Sequence, residues 1–188
     1  GIIFNSGKMD KSLDMLSKNK FPVVSMGEFN KNDDSNFVGL DYTQTMRSNC
    51  EYLINKGHTE IAIAFEDKCS EILMSEVLKG AKMAFVKAGL PISNLIALSV
   101  DGKDGNEMSN VLKEVKVSNP SLKAIISVND VLTLKLIESM NEMGVKIPEE
   151  FSILSLFDHE VFAYTFPKIT ANQTPFEQLA KYTSAFFL

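Results

Sequence analysis

The residues from Ala124 to Asp158, AIISVNDVLTLKLIESMNEMGVKIPEEFSILSLFD, decide the fold of the chain. The runs AIISV and FSILSLF are continuously apolar rather than alternating, which is typical of parallel strands buried on both faces. Gly144 and Pro148 mark the end of a helix between these two runs. The stretch therefore predicts a strand, a helix and a second, parallel strand. The apolar side of the helix is predicted at Leu132, Leu136, Ile137, Met140 and Met143.

Two residue pairs follow the strands of this unit, where ligands collect in open parallel sheets. Asn129 and Asp130 follow the first strand, and Phe157 and Asp158 end the second. An Asn amide both donates and accepts, which suits a ligand rich in hydroxyl groups. The alternative is that Asp130 or Asn129 only caps the following helix. Phe157 either packs in the core or forms a stacking wall for a ligand.

The rest of the chain alternates between strand and helix patterns, which predicts an α/β fold with a parallel sheet. Strands are predicted at 1–5, 22–26, 37–41, 61–65, 94–100 and 168–173, and helices at 11–19, 43–56, 71–88, 107–117 and 175–188. The polar segment from Glu28 to Asn36 predicts an exposed loop at a boundary between two parts of the fold.

Composition limits the class of protein. A chain of 188 residues can form one large or two small domains. Its net charge of -5 argues against binding a phosphate backbone through this segment alone. Cys50 and Cys69 match no metal or redox spacing, so we expect reduced structural thiols, which favours the cytoplasm. The chain begins within a strand pattern and ends within a helix pattern, and we therefore expect it to be part of a longer protein.

Catalytic and metal-binding patterns are missing from the sequence. The segment DGKDGN at 101–106 lacks the alternating acids of a calcium loop and predicts a plain turn. His58 follows Gly57, where a helix is predicted to end, and is expected to hydrogen-bond the last carbonyl groups of that helix. His159 has no second His or Cys at the spacing of metal ligands. No nucleophile motif, dinucleotide fingerprint or P-loop occurs. The sequence thus predicts a protein that is not an enzyme and that has neither a metal nor a cofactor.

The order of several motifs resembles the effector-binding core of the lactose-repressor (LacI/GalR) family of bacterial transcription regulators. The similar segments are VGLD at 38–41, YLINKGHTEIAI at 52–63, KGAKMAFVKAGLPI at 79–92, the 124–158 stretch and ITANQTPFEQLA at 169–180. The resemblance implies a type I periplasmic-binding-protein-like fold, in which crossing strands join two parallel-sheet lobes around an effector cleft. It also implies a helix-turn-helix DNA-binding domain upstream of this segment.

The resemblance implies a specific domain layout. Residues 1–36 would form part of an incomplete first lobe, and 37–41 would be a crossing strand. Residues 42–168 would form the second lobe. Residues 169–188 would cross back and place a helix on the first lobe.

The family's effector positions carry over in part. Asn5, Phe37, Asn129 and Gln173 fall at matching cleft positions, and Phe157 occupies a further one. At three places the chain departs from the family pattern. Gly27 stands where the family has an acidic residue, and Val77 stands where it has an effector-binding Arg. Phe157 stands where the family has the first Asp of a G-F-D-D ending. These changes remove two carboxylates and a guanidinium, which favours an apolar or stacking ligand, or control by a partner protein, over a free sugar.

The preferred hypothesis is a cytoplasmic, homodimeric regulator of carbohydrate or related metabolism, which senses a small effector such as a sugar or sugar phosphate. A regulatory protein is the alternative effector. The helix from Val131 to Met143, with Phe162 and Tyr164, is the candidate dimer surface. The alternative is that most of this apolar stripe packs in the core of its own unit and that the remaining aromatic side chains are simply exposed. The rival hypotheses are an extracytoplasmic solute-binding protein of the same fold and, less favoured, an α/β enzyme.

Overall fold

A computed structural model describes residues 2–6, 15–16, 18–27, 36–100 and 105–186, with the backbone alone for 2–6, 27 and 105–107. The predicted helix at 11–19 and the predicted loop at 28–36 lie largely outside the described residues, as do the first four residues of the turn at 101–106. The chain divides into two compact units, one of 1–41 with 174–188 and one of 42–173.

The described part of the first unit includes a three-stranded sheet and a helix that packs on it. Strands β1 (Ile2–Ser6), β2 (Val23–Gly27) and β3 (Asn36–Val38) are parallel and lie side by side in that order. Helix α5 (Phe176–Ala185) begins directly after Pro175 and packs on β2 and β3. Proline suits this position because the N–H groups of the first helical turn have no acceptor within the helix, so the N–H that proline lacks is not needed there.

The second unit is built on a five-stranded, fully parallel sheet. The sheet is formed by β4 (Ile61–Glu66), β5 (Leu95–Val100), β6 (Ala124–Ser127), β7 (Ser152–Ser155) and β8 (Thr170–Ala171). The strands lie in the order β5-β4-β6-β7-β8. Every residue of the interior strand β4 is buried from Ile61 to Phe65, which explains its continuously apolar sequence.

Four helices cover the five-stranded sheet: α1 (Tyr42–Asn55), α2 (Glu71–Lys87), α3 (Gly105–Ser118) and α4 (Asp130–Glu142). Helix α1 packs against α2, and α3 packs against α4. Gly144, just after α4, has a φ of +69°, a left-handed conformation that glycine adopts without steric cost. The glycine stop predicted from the sequence therefore has a conformational cause.

Three elements differ from the sequence expectation. The predicted strand 168–173 is only two residues long, and the strand predicted at 37–41 ends at Val38. The aromatic segment after Asp158, expected to be a loop, contains a 3-10 helix at Glu160–Tyr164. Its cap is the His159 side chain, a local interaction that apolar periodicity does not reveal.

Candidate functional site at the carboxyl ends of the second-unit strands

Three predicted ligand residues stand at equivalent places in the second unit. Asn129, Phe157 and Gln173 each lie two residues beyond the last residue of β6, β7 and β8. The register pairs Ser127 with Ser155 and Ser155 with Ala171, so the three strands end level with one another. The fold thus brings these three positions to one edge of the sheet, which we call the carboxyl edge.

Asn129 is the N-cap of α4. Its Oδ1 accepts a hydrogen bond from the backbone N–H of Leu132 at 2.8 Å, and its carbonyl oxygen accepts from the Thr133 hydroxyl at 2.7 Å. The capping reading is therefore correct for Asn129. Its Nδ2 makes no hydrogen bond within the described part of the chain, so the amide keeps a donor that a ligand could use.

Asp130 does not cap the helix and instead faces His159. Its Oδ2 lies 3.6 Å from His159 Nε2, with both side chains partly exposed. His159 Nδ1 accepts from the backbone N–H of Val161 at 3.2 Å, which places the ring proton of the neutral imidazole on Nε2, toward Asp130. This pair ties the start of α4 to the 3-10 helix, an interaction that sequence reasoning missed.

Phe157 has an aromatic partner that the sequence did not suggest. Its ring meets the Tyr42 ring edge-on, with centroids 5.8 Å apart and planes at 76°. Both rings are half-buried and pack against the core of the second unit. Edge-to-face aromatic pairs hold each ring in a defined orientation. The partly exposed surface of this pair is the available stacking surface at the carboxyl edge.

The residue before Gln173 connects the segment after β8 to α1 and to the end of β7. Asn172 Nδ2 donates to Asn49 Oδ1 at 2.7 Å and to the Leu156 carbonyl at 3.1 Å, while its own carbonyl accepts from Asp158 N at 2.8 Å. Asn49 is buried in α1, 123 positions away along the chain. Gln173 itself is exposed. No sequence pattern links Asn49 with Asn172, because the contact depends on how α1 packs on the sheet.

Asn5 and Phe37 belong to the first unit. Asn5 pairs with Met26 in the β1–β2 ladder, and its side chain lies outside what the structure describes. Phe37 is half-buried in β3, beside Ser25. Their assembly with the carboxyl edge into one effector cleft stays a prediction.

The departures from the family pattern have a clear structural basis at two positions, Val77 and Phe157. Val77 is completely buried in α2, so the place of an effector-binding Arg is part of the hydrophobic core here. Phe157 likewise packs on the core rather than presenting a carboxylate. The carboxyl edge is therefore poorer in charged groups than the family pattern implies.

Cys50 and Cys69 do not form a disulfide bond. Burial, helped by the charge of Glu51, raises the pKa of Cys50 to about 12. Among the residues that the structure describes, no three His, Cys, Asp or Glu side chains cluster as metal ligands would. A search of the same residues finds no helix with the length and apolarity needed to cross a bilayer.

Comparison with known proteins decides the family. The periplasmic binding protein-like domain family matches residues 50–185, most of the chain. The chain belongs to this family. The predicted fold class, α/β with parallel sheets of the periplasmic-binding-protein type, is confirmed.

Curated relatives of this family member are transcriptional regulators. HTH-type transcriptional regulator AscG of Escherichia coli (strain K12) is 25% identical over 175 residues, which cover 91% of this chain and 50% of that protein. Catabolite control protein A of Staphylococcus xylosus is 25% identical over 174 residues, covering 91% of this chain and 51% of that protein. The chain thus spans about half the length of the curated relatives it matches.

A solved structure agrees with this assignment of fold. A LacI family transcriptional regulator from Enterococcus faecium, with bound ribose, superposes with a TM-score of 0.81 at 20% identity, over 98% of this chain and 69% of that chain. The resemblance to the lactose-repressor family is confirmed by these matches. They favour the core of a regulator over the alternative of an extracytoplasmic solute-binding protein.

Proposed function

We propose that this chain is the effector-sensing and dimerisation core of a cytoplasmic, DNA-binding transcriptional regulator, acting as a repressor of carbohydrate or related metabolism. The observation that carries the proposal is the match of nine-tenths of the chain to regulators such as AscG and catabolite control protein A. The net charge of -5 argues against DNA binding by this segment alone. We therefore assign operator binding to an N-terminal helix-turn-helix in the full-length protein.

The test of this function uses the full-length protein that contains the chain. Selection of bound fragments from genomic DNA should enrich a palindromic operator, since a symmetric dimer presents two equivalent DNA-binding domains to two half-sites. Removing everything upstream of residue 1 should abolish that binding. Failure of the full-length protein to enrich any sequence would contradict the proposal, as would a signal peptide in place of the helix-turn-helix.

The effector best suited to the carboxyl edge has a flat stacking face and a hydrogen-bond acceptor. The Tyr42–Phe157 pair supplies the aromatic surface, and Asn129 supplies the donor. The family's carboxylate and guanidinium positions hold Gly27, Val77 and Phe157, so a ligand that needs several charged partners is disfavoured. A thermal-shift comparison of adenine with ribose and ribose 5-phosphate tests this class, because a ligand that binds only the folded state raises its melting temperature. A larger shift with ribose than with adenine at equal concentration would overturn it.

Replacing Asn129 with Asp separates the cap from the ligand contact. Aspartate also caps helices through its side-chain oxygen, so Asn129→Asp should keep the melting temperature, yet it removes the Nδ2 donor. We expect effector affinity to fall by about tenfold or more, the size of one lost hydrogen bond to a buried ligand group. Titration of the purified variant with the effector found in the thermal-shift comparison measures this change.

Asn129→Ala is the companion variant. It removes both functions and should lose about 1 kcal/mol of stability through the cap in addition to effector affinity. Unchanged effector binding in both variants would remove Asn129 from the site.

The proposed homodimer surface is smaller than the sequence suggested. Leu132, Leu136 and Met140 of the α4 stripe are fully buried, so they belong to the core of their own unit. Phe162 is also buried, with 4% of its surface exposed, which makes its assignment to the surface wrong. A side chain held in the core of its own unit is not available to a partner protomer.

Two residues remain available for the dimer. Val131 is 48% exposed and Tyr164 is 88% exposed. Glutamate at both positions, Val131→Glu with Tyr164→Glu, should weaken self-association by about tenfold or more, because it buries charge in an apolar contact. Sedimentation equilibrium of the full-length protein measures this effect. Val117→Glu, at an 81% exposed valine on α3, is the control and should leave the dimer intact. Equal association by the double variant and the control would place the dimer surface elsewhere.

A further inference from the structure

A cavity in the second unit lies toward the amino ends of β7 and β8, away from the candidate effector residues. Its volume is about 430 Å³, and its walls come from the end of α1 and the beginnings of β7 and β8. We call it the basal pocket, defined by its polar lining residues Tyr52, Lys56, His58, Ser152, Lys168 and Thr170. The lining runs along β7 from Ser152 to Leu154, and the candidate effector residue Phe157 lies beyond the end of that strand and outside the lining.

The charge of the basal pocket is opposite to that of the chain. Lys56 and Lys168 line it, and its lining includes neither Asp nor Glu, although the chain carries a net charge of -5. Neither lysine forms an ion pair with an acidic side chain in the described ranges. Lys56 Nζ lies 5.7 Å from the centroid of the Tyr52 ring, which holds the ammonium group beside the pocket wall. Two ammonium groups without carboxylate partners make the pocket attractive to an anion.

A neutral hydrogen-bonding group sits beside these charges. His58 Nε2 lies 3.1 Å from the Ser152 hydroxyl. Burial, and secondarily the charge of Lys123, holds the pKa of His58 below its usual range. The uncharged imidazole and the hydroxyl can therefore exchange hydrogen bonds with a polar ligand group at neutral pH.

The rest of the pocket is apolar. The apolar surface that a ligand can reach comes from Ile147, which is half-buried, and Pro148, which is exposed, whereas Leu53 and Leu154 are nearly fully buried. Pockets of this volume with apolar walls and a few fixed polar groups are typical of sites for small organic molecules. A strongly hydrated dianion would lose its hydration shell against these walls without enough donors in return. A monoanion with an apolar body matches both parts of the pocket.

We propose that the basal pocket binds a small organic carboxylate, with the carboxylate group near Lys56 and Lys168 and the apolar body on Ile147 and Pro148. This site is distinct from the carboxyl edge and independent of the proposed effector. A ligand there contacts α1, β7 and β8 together; Asn49 lies in the middle of α1, and Phe157 and Asn172 follow the ends of β7 and β8.

Benzoate is the probe for this site, and benzamide is its uncharged match. In amide-resolved NMR of the ¹⁵N-labelled protein, benzoate should shift the signals of Lys56, His58, Ser152 and Thr170, and titration of those shifts gives its affinity. Benzamide and inorganic phosphate should each bind at least about tenfold more weakly, because one lacks the charge and the other lacks the apolar body. The double variant Lys56→Met with Lys168→Met should weaken benzoate binding by about tenfold or more.

The double variant Lys82→Met with Lys113→Met is the matched control. It removes the same charge from exposed positions on α2 and α3, outside the pocket lining. Unchanged benzoate affinity in this control supports the site. The proposal is overturned if benzoate leaves the four signals in place, if benzamide or phosphate binds equally well, or if both double variants lose affinity to the same extent.

Discussion

Gly80→Ala is expected to destabilise the second unit by about 3 kcal/mol or more, through overpacking of α1 against α2. A Cβ at Gly80 would lie 2.1 Å from the Thr43 carbonyl oxygen and 3.1 Å from the Arg47 backbone nitrogen. Both atoms belong to the backbone of α1, so no side-chain rotation can relieve the clash. The two helices must separate, which would also disturb the hydrogen bond from the Thr43 hydroxyl to the Glu76 carbonyl at 3.1 Å.

Urea unfolding followed by far-UV circular dichroism measures this loss, and a fall in melting temperature of about 6–12 °C should accompany it. Gly89→Ala is the matched control. A Cβ there meets nothing within 4 Å, but the φ of +69° strains any L side chain. Its cost should be near 1 kcal/mol, the ordinary cost of a left-handed alanine. Equal losses in the two variants would mean that backbone strain, rather than the close approach of the helices, governs Gly80.

Phe65→Ala should cost about 3–5 kcal/mol, the usual range for truncating a buried aromatic side chain. Phe65 lies in the interior strand β4, is 1% exposed, and ranks among the largest fully buried side chains that the structure describes. The cost combines lost burial with the cavity left behind, since a sheet covered on both faces relaxes only partly. The free energy of unfolding from the same urea experiment measures it.

Phe166→Ala gives the comparison for Phe65. It removes the same side chain at a position that is 92% exposed in the same unit, so the free energy of unfolding should change by no more than about 0.5 kcal/mol. A loss in Phe65→Ala no larger than in this control would show that β4 does not carry the core. Phe65 is the second-to-last residue of β4 and therefore lies near the carboxyl edge. Phe65→Ala should for this reason weaken effector binding as well.

Much of the second unit follows from local sequence patterns. Continuous apolar runs predicted β4, β6 and β7, because strands inside a parallel sheet are buried on both faces. Gly57, Gly89 and Gly144 marked helix ends, and each has the positive φ that such an end requires. Edge elements were predicted less well. The edge strand β8 has one neighbour and only two residues, so its sequence carries little periodic signal.

The sequence predicted where the candidate site residues lie in the fold, but it did not predict which side chains they contact. Strand ends placed Asn129 and Phe157 at the carboxyl edge, as the topology of parallel sheets requires. The sequence left open which residue caps α4, since Asn and Asp cap equally well, and only the geometry assigns the role to Asn129. Tyr42 was missed as the partner of Phe157, because 115 positions separate them and no motif marks the pair.

By itself, the sequence determined the fold class, the α/β alternation and the carboxyl-edge positions, because each depends on local periodicity and on the chirality of parallel connections. Tertiary structure alone decided which apolar residues are surface and which are core, burying Phe162 and leaving Tyr164 88% exposed. It also decided the contact of Asn172 with Asn49, the close approach at Gly80, and the basal pocket. The physical reason is the same in each case. These features depend on where distant segments meet, and long-range packing leaves no periodic trace in the chain.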